Sequence, residues 1–404
     1  MKRIKQIIFS DFFDTLTNGA LVLFAYWYIY DVTHNQNYIS LLGLISMLAT
    51  LFTFIGGYFS DRMNRIALLK IVVLIRILNT SFGLVIYLLM NNPILGVMMT
   101  VVINSVLNIV YSPLTESIVP SIVHDRDDLV TANSWVSITN QLASVLSAGL
   151  SAIFIFFGNV GAGLVLSLIL YSVSYFLIGR LNSTQAPEAN HEASSSLSIQ
   201  TSNFFEGIKI IRSNTLIAVI VPIALVTNFC FWTVWLLMPK LSIDIFSEFK
   251  YMYNAVDLAF TVGSILGAFL VNAKHSDTKI FTAKSFPYFL FLQGFMILLI
   301  GFFSLLQRGI FGVVLAWLGY GICNATGSIL YFSTVQLSVP NQHIGMVIGA
   351  ILTIFSVANP IAAIASAPLS HLAATPSIVL CLGLVMMIAA IPVFRKSNIR
   401  FNKG

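Results

Sequence analysis

Residues 56–65 read GGYFSDRMNR, an aspartate, two arginines and two glycines set between two long apolar runs. Ionised side chains are costly inside a bilayer, so such a cluster marks a loop, and the flanking runs decide the fold. The chain has 404 residues, 57% of them hydrophobic and only 9% charged, against about 25% charged in an ordinary soluble domain. A water-soluble core of this size has no need of so much apolar surface, and the composition points to the membrane. The formal net charge of +6 includes no basic run long enough for a nucleic-acid arm, so nucleic acid is not an expected partner.

A spanning helix needs roughly 17–25 mostly apolar residues. Twelve runs qualify, near 7–30, 39–60, 67–90, 94–116, 130–156, 160–179, 215–238, 252–273, 286–306, 310–333, 344–371 and 377–394, so the expectation is an all-α membrane protein. Between the sixth and seventh lies STQAPEANHEASSSLSIQTS (183–202), polar and rich in Ser and Ala, which reads as a flexible linker. The expected division is therefore 1–182 as one six-helix bundle, 183–213 as a cytoplasmic linker and 214–404 as a second six-helix bundle. Just after the linker, NFFEGIKIIRSN (203–214) puts Phe204, Phe205, Ile208 and Ile211 on one face, which suits a short helix on the inner membrane surface. The N-terminus begins like a signal peptide, but Asp11 and Asp14 interrupt its apolar stretch, so it reads as a retained first helix. Placing that terminus in the cytoplasm puts 17 of the 21 Lys and Arg residues on the cytoplasmic side, leaves Lys240, Lys250 and Arg308 outside and buries Arg76 in a helix. The positive-inside rule then places both termini in the cytoplasm.

By this topology GGYFSDRMNR is the cytoplasmic loop between helices 2 and 3. Gly57, Asp61, Arg62 and Arg65 reproduce the spacing G-x-x-x-D-R-x-x-R, which resembles the loop signature of the major facilitator superfamily. Asn64 stands where a glycine is usual, and Ile66 where a second basic residue is common. The resemblance implies the major facilitator fold, two pseudo-symmetric six-helix bundles rocking about a midplane site. It also implies a latch between the halves. In that latch Asp61 faces the positive N-terminal end of helix 11. Gly345 and Gly349 of VPNQHIGMVIGA (339–350) permit close approach, and Glu116 pairs with Arg62 or Arg65. The alternative is that these are topology-setting loop charges, which explains the arginines and not the aspartate.

Three further stretches resemble the branch containing macrolide-efflux and siderophore-export proteins. They are WYIYDVTHN (27–35), YSPLTESIVPSIVHDRDDLVTANSW (111–135) and LSVPNQHIGMVIG (337–349), and GAFLVNAKHSDTK (267–279) is a degenerate second copy of the loop signature. The antiporter signature with Gly-Pro pairs is missing from helix 5, which reads NQLASVLSAGLSA (140–152). Its Ala143, Ser144, Ser147, Ala148 and Ser151 instead make a small-residue face suited to close helix packing.

Intramembrane ionisable residues are rare and usually functional. Asp11, Asp14 and Asn18 fall at i, i+3 and i+7 on one face of helix 1; Asp11 either caps the helix or belongs to the cavity, while Asp14 is a turn deeper. Arg76 lies about ten residues into the third run, roughly 14 Å deep at 1.5 Å per residue. It either pairs with an acid such as Asp14 or binds an anionic group of the substrate. Asp257 in helix 8 binds a cation, carries a proton, or is an outer-end residue reached by water. Phe229 and Trp232 in helix 7 line a cavity or join an interfacial aromatic belt. Cys230, Cys323 and Cys381 are far apart in apolar runs, which points to buried hydrophobes rather than a disulfide or zinc framework.

No nucleophile–base or metal-ligand cluster stands out, so neither an enzyme, a metal nor a cofactor is expected. The expectation is a monomeric secondary transporter of the bacterial plasma membrane that exports a small amphipathic organic compound in exchange for protons. Asp14 and Asp257 are the candidate proton carriers, and Asp11, Asn18, Arg76, Phe229 and Trp232 the candidate cavity residues. An importer, a lipid transporter, or a membrane sensor or immunity protein on the same fold are the alternatives.

Overall fold

Each of the twelve apolar runs carries a helix in the computed structural model, which describes residues 2–52, 55–56, 59, 63–90, 93–122, 126–180, 206, 208–214, 217–273, 285–306, 309–339 and 344–400. The helices are α1 Lys2–Thr33, α2 Gln36–Leu51, α3 Arg65–Met90, α4 Pro93–Ile122, α5 Arg126–Phe157, α6 Val160–Gly179, α7 Ile217–Ile245, α8 Met252–Ala273, α9 Phe286–Leu305, α10 Ile310–Ser338, α11 Ile344–Leu372 and α12 Thr375–Arg400. Eleven of them are long and apolar enough to cross a membrane, and α2 is a shorter apolar helix. Several run past the ends of their apolar stretches, because a helix already satisfies its own backbone and can continue into water. His34 alone of the described non-glycine residues has a positive φ, 46°, and this left-handed residue turns the chain from α1 into α2.

The chain divides into two compact units, Met1–Thr33 with Ile45–Ser194, and His34–Leu44 with Ser195–Gly404. In the first unit α1 is the central helix, with 61% of its apolar window buried against 33–50% for the other spanning helices. It packs along α5 and α6 and touches α4, while α3 packs on α4 and α6. The small-residue face of α5 makes the α1 contact a close one. Ala143, Ser147, Ala148 and Ser151 are all buried, and Gly19 of α1 sits directly against Ser147. Helix α3 has its polarity turned inside out. Arg76, Asn79 and Thr80 are buried, and Ile71, Leu74, Ile75, Leu78 and Phe82 are exposed at helical spacing. That is the pattern of a helix with lipid on one side and protein on the other.

In the second unit α8 packs along α10, α9 along both α10 and α12, and α7 on α11 and α12. One core joins α7, α9, α10, α11 and α12 through Ile220, Leu290, Tyr331, Val347 and Val393, and it includes Ile211 from the segment after the linker. The hydrophobic face expected for a surface helix at 203–214 thus seats Ile211 in protein; Phe204 and Phe205 lie outside the described residues. The first residues of α2 group with this unit. Gln36 donates to the Leu236 carbonyl at 2.8 Å, and the hydroxyls of Ser40 and Ser366 share a hydrogen bond of 2.7 Å. Cys230 and Cys323 are buried free thiols, as expected of small hydrophobes. Cys381 departs from that expectation and is exposed, because it shares its face of α12 with the exposed Leu384, Val385 and Ile388.

Apolar helices in lipid have no water to drive them together; they associate by close packing, and glycine permits the closest. A Cβ on Gly263 of α8 would fall inside the Leu318 carbonyl of α10. Gly263→Val is therefore expected to cost about 1–3 kcal/mol of stability by overpacking, read as a lower melting temperature of the purified protein. Gly263→Ser is expected to cost less because it adds fewer atoms.

Candidate functional site

Asp11, Asp14 and Asn18 share one face of α1, and all three line a cavity of about 600 Å³ in the first unit. Other walls come from Ser46 and Thr50 on α2, Asn108 and Tyr111 on α4, and Asn140, Ser144 and Ser147 on α5. Asp11 and Asp14 are the only charged residues among those lining it. Among the described residues its lining is thus acidic, with no basic group.

Arg76 stands behind this wall, fully buried, and forms an ion pair with Asp14 Oδ2. A second guanidinium nitrogen donates to Asn108 Oδ1. The cation also lies over two aromatic faces, 4.4 Å from the centre of the Tyr111 ring and 5.9 Å from that of Tyr171. Such desolvated cation–π contacts help hold a charge that has left water. Tyr111 turns its hydroxyl the other way and donates to Asp11 Oδ1 at 2.9 Å. The shell continues outward from Asn104, which donates to the Tyr171 hydroxyl at 3.2 Å and accepts from Asn79 at 3.0 Å. One buried cation is therefore held by α1, α4 and α6 around α3. Asp14 Oδ1 is buried and has no hydrogen-bond partner among the described residues.

The second unit has its own cavity of about 380 Å³, and its character is different. Its walls carry aromatic rings and carboxamides, including Phe231, Trp232, Tyr320, Tyr331, Asn324 and Asn359, and none of the described residues lining it is charged. Trp232 and Phe231 line it, and Phe229 does not. The α7 residues that line it are Ala224, Thr227, Asn228, Phe231 and Trp232, and at about 100° per residue Phe229 sits roughly 130° round from the centre of that face. Asp257 on α8 lines neither cavity, and among the described residues its carboxylate has no side-chain partner.

Of the expected latch, Gly57, Asp61 and Arg62 lie outside the described residues, as do the side chain of Glu116 and the surroundings of Gly345. Arg65 donates to the Ser117 carbonyl of α4 at 3.1 Å. Nothing among the described residues lies within 4 Å of where a Cβ on Gly349 would be, and the loop residues Gly57, Asp61 and Arg62 that it is expected to approach lie outside them. The glycine of the opening stretch that packing does require is Gly56, whose Cβ would collide with the Ile109 carbonyl.

The sequence reading missed Asn79, Asn104, Asn108, Tyr111, Asn140 and Tyr171 in the first unit and the carboxamides of the second. The available signal was a set of neutral polar residues inside apolar runs, each of which needs a hydrogen-bond partner or a cavity.

A search of curated proteins found no match to this chain. Solved structures are similar across nearly its full length. The nucleoside transporter NupG superimposes with a TM-score of 0.75 at 14% identity, covering 98% of this chain and 99% of that one. A point mutant of the same transporter gives a TM-score of 0.76 at 12% identity with the same coverage. A POT family transporter in complex with a thioalcohol-conjugated peptide gives 0.74 at 13% identity, covering 98% of this chain and 96% of that one. At such identities the likeness is one of fold. The family model of the Major Facilitator Superfamily matches residues 7–363, and with its helices, its multi-pass apolar runs and its loop stretch, this chain belongs to the Major Facilitator Superfamily.

Proposed function

We propose that the chain is a proton-coupled exporter of small amphipathic organic compounds, working by alternating access in a bacterial plasma membrane as a monomer with both termini in the cytoplasm. Family membership supports transport, and the efflux direction rests on the resemblance of 27–35, 111–135 and 337–349 to exporters. Proton coupling rests on one observation, the buried Asp14 Oδ1 that has no hydrogen-bond partner among the described residues while Oδ2 is held by Arg76. With Asp11 beside it, the cluster sets two carboxylates against one guanidinium, and a single added proton makes it neutral. A carboxylate that changes neighbours as water reaches it from one side or the other can load and release that proton. Asp14 is the first carrier in this reading. Asp257, which lines neither cavity, is the second candidate carrier.

Everted membrane vesicles with an acidified lumen test the proposal. Ethidium, erythromycin and 2-quinolone are offered in turn, and at least one is expected to accumulate and to leave when nigericin removes the pH gradient. Accumulation driven only by the opposite gradient would make the chain an importer. No gradient-dependent movement of any of the three removes the transport reading.

The latch carries its own expected outcome. Asp61→Asn is expected to impair transport with near-normal membrane expression, because the latch that the family resemblance implies would lose a charge–helix-dipole interaction, worth about 0.3–2 kcal/mol where one is made. The resting population then shifts toward the inward-open state. Cysteine accessibility measured from both sides checks it, and unchanged accessibility with unchanged turnover excludes the role.

A further inference from the structure

We propose that the cavity of the second unit is the seat of an uncharged, planar heteroaromatic group bearing both a hydrogen-bond donor and an acceptor. This rests on the reading of the chain as a carrier of amphipathic organic compounds and names the class of compound. The walls argue for planarity. Phe231 and Tyr320 present parallel rings, 5.3 Å apart between centroids and 1° between planes. Tyr331 extends the aromatic surface, with Phe286 at 5.6 Å and Phe355 at 5.7 Å. Aromatic faces favour offset stacking on another ring over contact with an aliphatic chain.

The polar groups argue for the hydrogen bonds. Tyr331 is only 3% exposed, yet its hydroxyl has no hydrogen-bond partner among the described residues. Asn359 Oδ1 is likewise buried and without a partner among them, and both residues line this cavity. Buried polar atoms without partners are rare in native proteins and costly to keep. A ligand with an N–H for Asn359 and a carbonyl for Tyr331 answers both, and a cyclic amide fused to an aromatic ring carries both groups in one plane. Gln293 is already engaged through its amide, which donates to the Cys323 carbonyl at 3.3 Å, so it is fixed in the wall.

The absence of charge argues for neutrality. Where the first unit's cavity is lined by Asp11 and Asp14, no described residue lining this one is ionisable to an anion or cation at neutral pH. A charged group seated here leaves water without a counter-charge. The size, about 380 Å³, is at the lower end of the range for ligand pockets, suited to a bicyclic group rather than a macrocycle.

The experiment is equilibrium binding of 2-quinolone, a neutral bicyclic lactam, to the purified full-length protein in nanodiscs, followed by quenching of tryptophan fluorescence. Saturable quenching is expected. 1-Methylquinolinium, of the same shape but cationic and without the lactam, is expected to bind at least about tenfold more weakly. Tyr331→Phe, which removes only the hydroxyl, and Asn359→Leu are each expected to weaken 2-quinolone roughly threefold to tenfold, and 1-methyl-2-quinolone is expected to lose its sensitivity to Asn359→Leu. No saturable quenching, equal binding of the cation, or unchanged affinity in a folded Tyr331→Phe protein each overturns the proposal. Binding needs no gradient, so the two readings fail separately. If vesicles accumulate ethidium but 2-quinolone does not bind, the ligand class is wrong and export stands. If 2-quinolone binds as expected but none of the vesicle probes moves, the seat stands and export falls.

Discussion

Arg76→Ala is expected to abolish the folded protein, and adding Asp14→Asn to it to restore part of the yield. The reason is a count of charges around one guanidinium. Arg76 is wholly buried and paired with Asp14, with Asp11 linked to the same centre through Tyr111. Removing the cation leaves two carboxylates, a turn apart on one face of α1, without a counter-charge among the described residues lining their cavity. Breaking one side of a buried pair costs about 3–5 kcal/mol, a large share of the roughly 5–15 kcal/mol by which proteins are stable. Converting Asp14 to its neutral isostere removes one of the stranded charges, and Asp11 keeps its hydrogen bond from Tyr111. Size-exclusion profiles and melting curves of the detergent-solubilised variants check this. A double variant as unstable as Arg76→Ala alone would exclude the pairing as the cause. A stable Arg76→Ala protein that no longer binds substrate would assign Arg76 to recognition instead.

The same count predicts the opposite result for the acid. Asp14→Asn alone is expected to fold, because Arg76 keeps Asp11 as a counter-charge and Asn108, Tyr111 and Tyr171 as contacts. It is also expected to stop uphill transport. An asparagine fixes the neutral state of the group proposed to carry the proton, so the substrate gradient can no longer be coupled to the pH gradient. Downhill exchange of substrate should remain measurable, since the substitution changes charge and not shape. Everted vesicles containing Asp14→Asn that still concentrate a transported probe, and still answer an imposed pH step, would take Asp14 out of the mechanism.

The fold was legible because the bilayer imposes it. Twelve apolar runs and a polar linker leave few other arrangements once every backbone group must be satisfied within the membrane. The charged residues of the site were legible for a related reason, since an ionised side chain such as Arg76 cannot face lipid. The neutral half of the site was not. Asn108 and Asn140 occur in apolar runs just as structural asparagines do, and only the fold tells which of them meets a cavity. The placing of Phe229 in the cavity shows the same limit on a finer scale. Aromatic residues are so frequent in NFCFWTVWLLMP (228–239) that an argument from type cannot choose a face; the helical phase chooses Phe231.

The position of Arg76 along the chain bears on how the protein is made. During synthesis α3 enters the membrane after α1 and before α4 and α6, so at that moment Asp14 is the one member of the final shell already in the bilayer. An arginine at the centre of a helix raises the cost of membrane insertion by about 2.5–3.5 kcal/mol. Helix α1 is thus a waiting partner, and α3 should integrate efficiently when α1 precedes it and poorly when it is moved into a foreign protein by itself. The contacts from Asn108, Tyr111 and Tyr171 come only once the following helices emerge, closing around a charge that the first helix has already admitted.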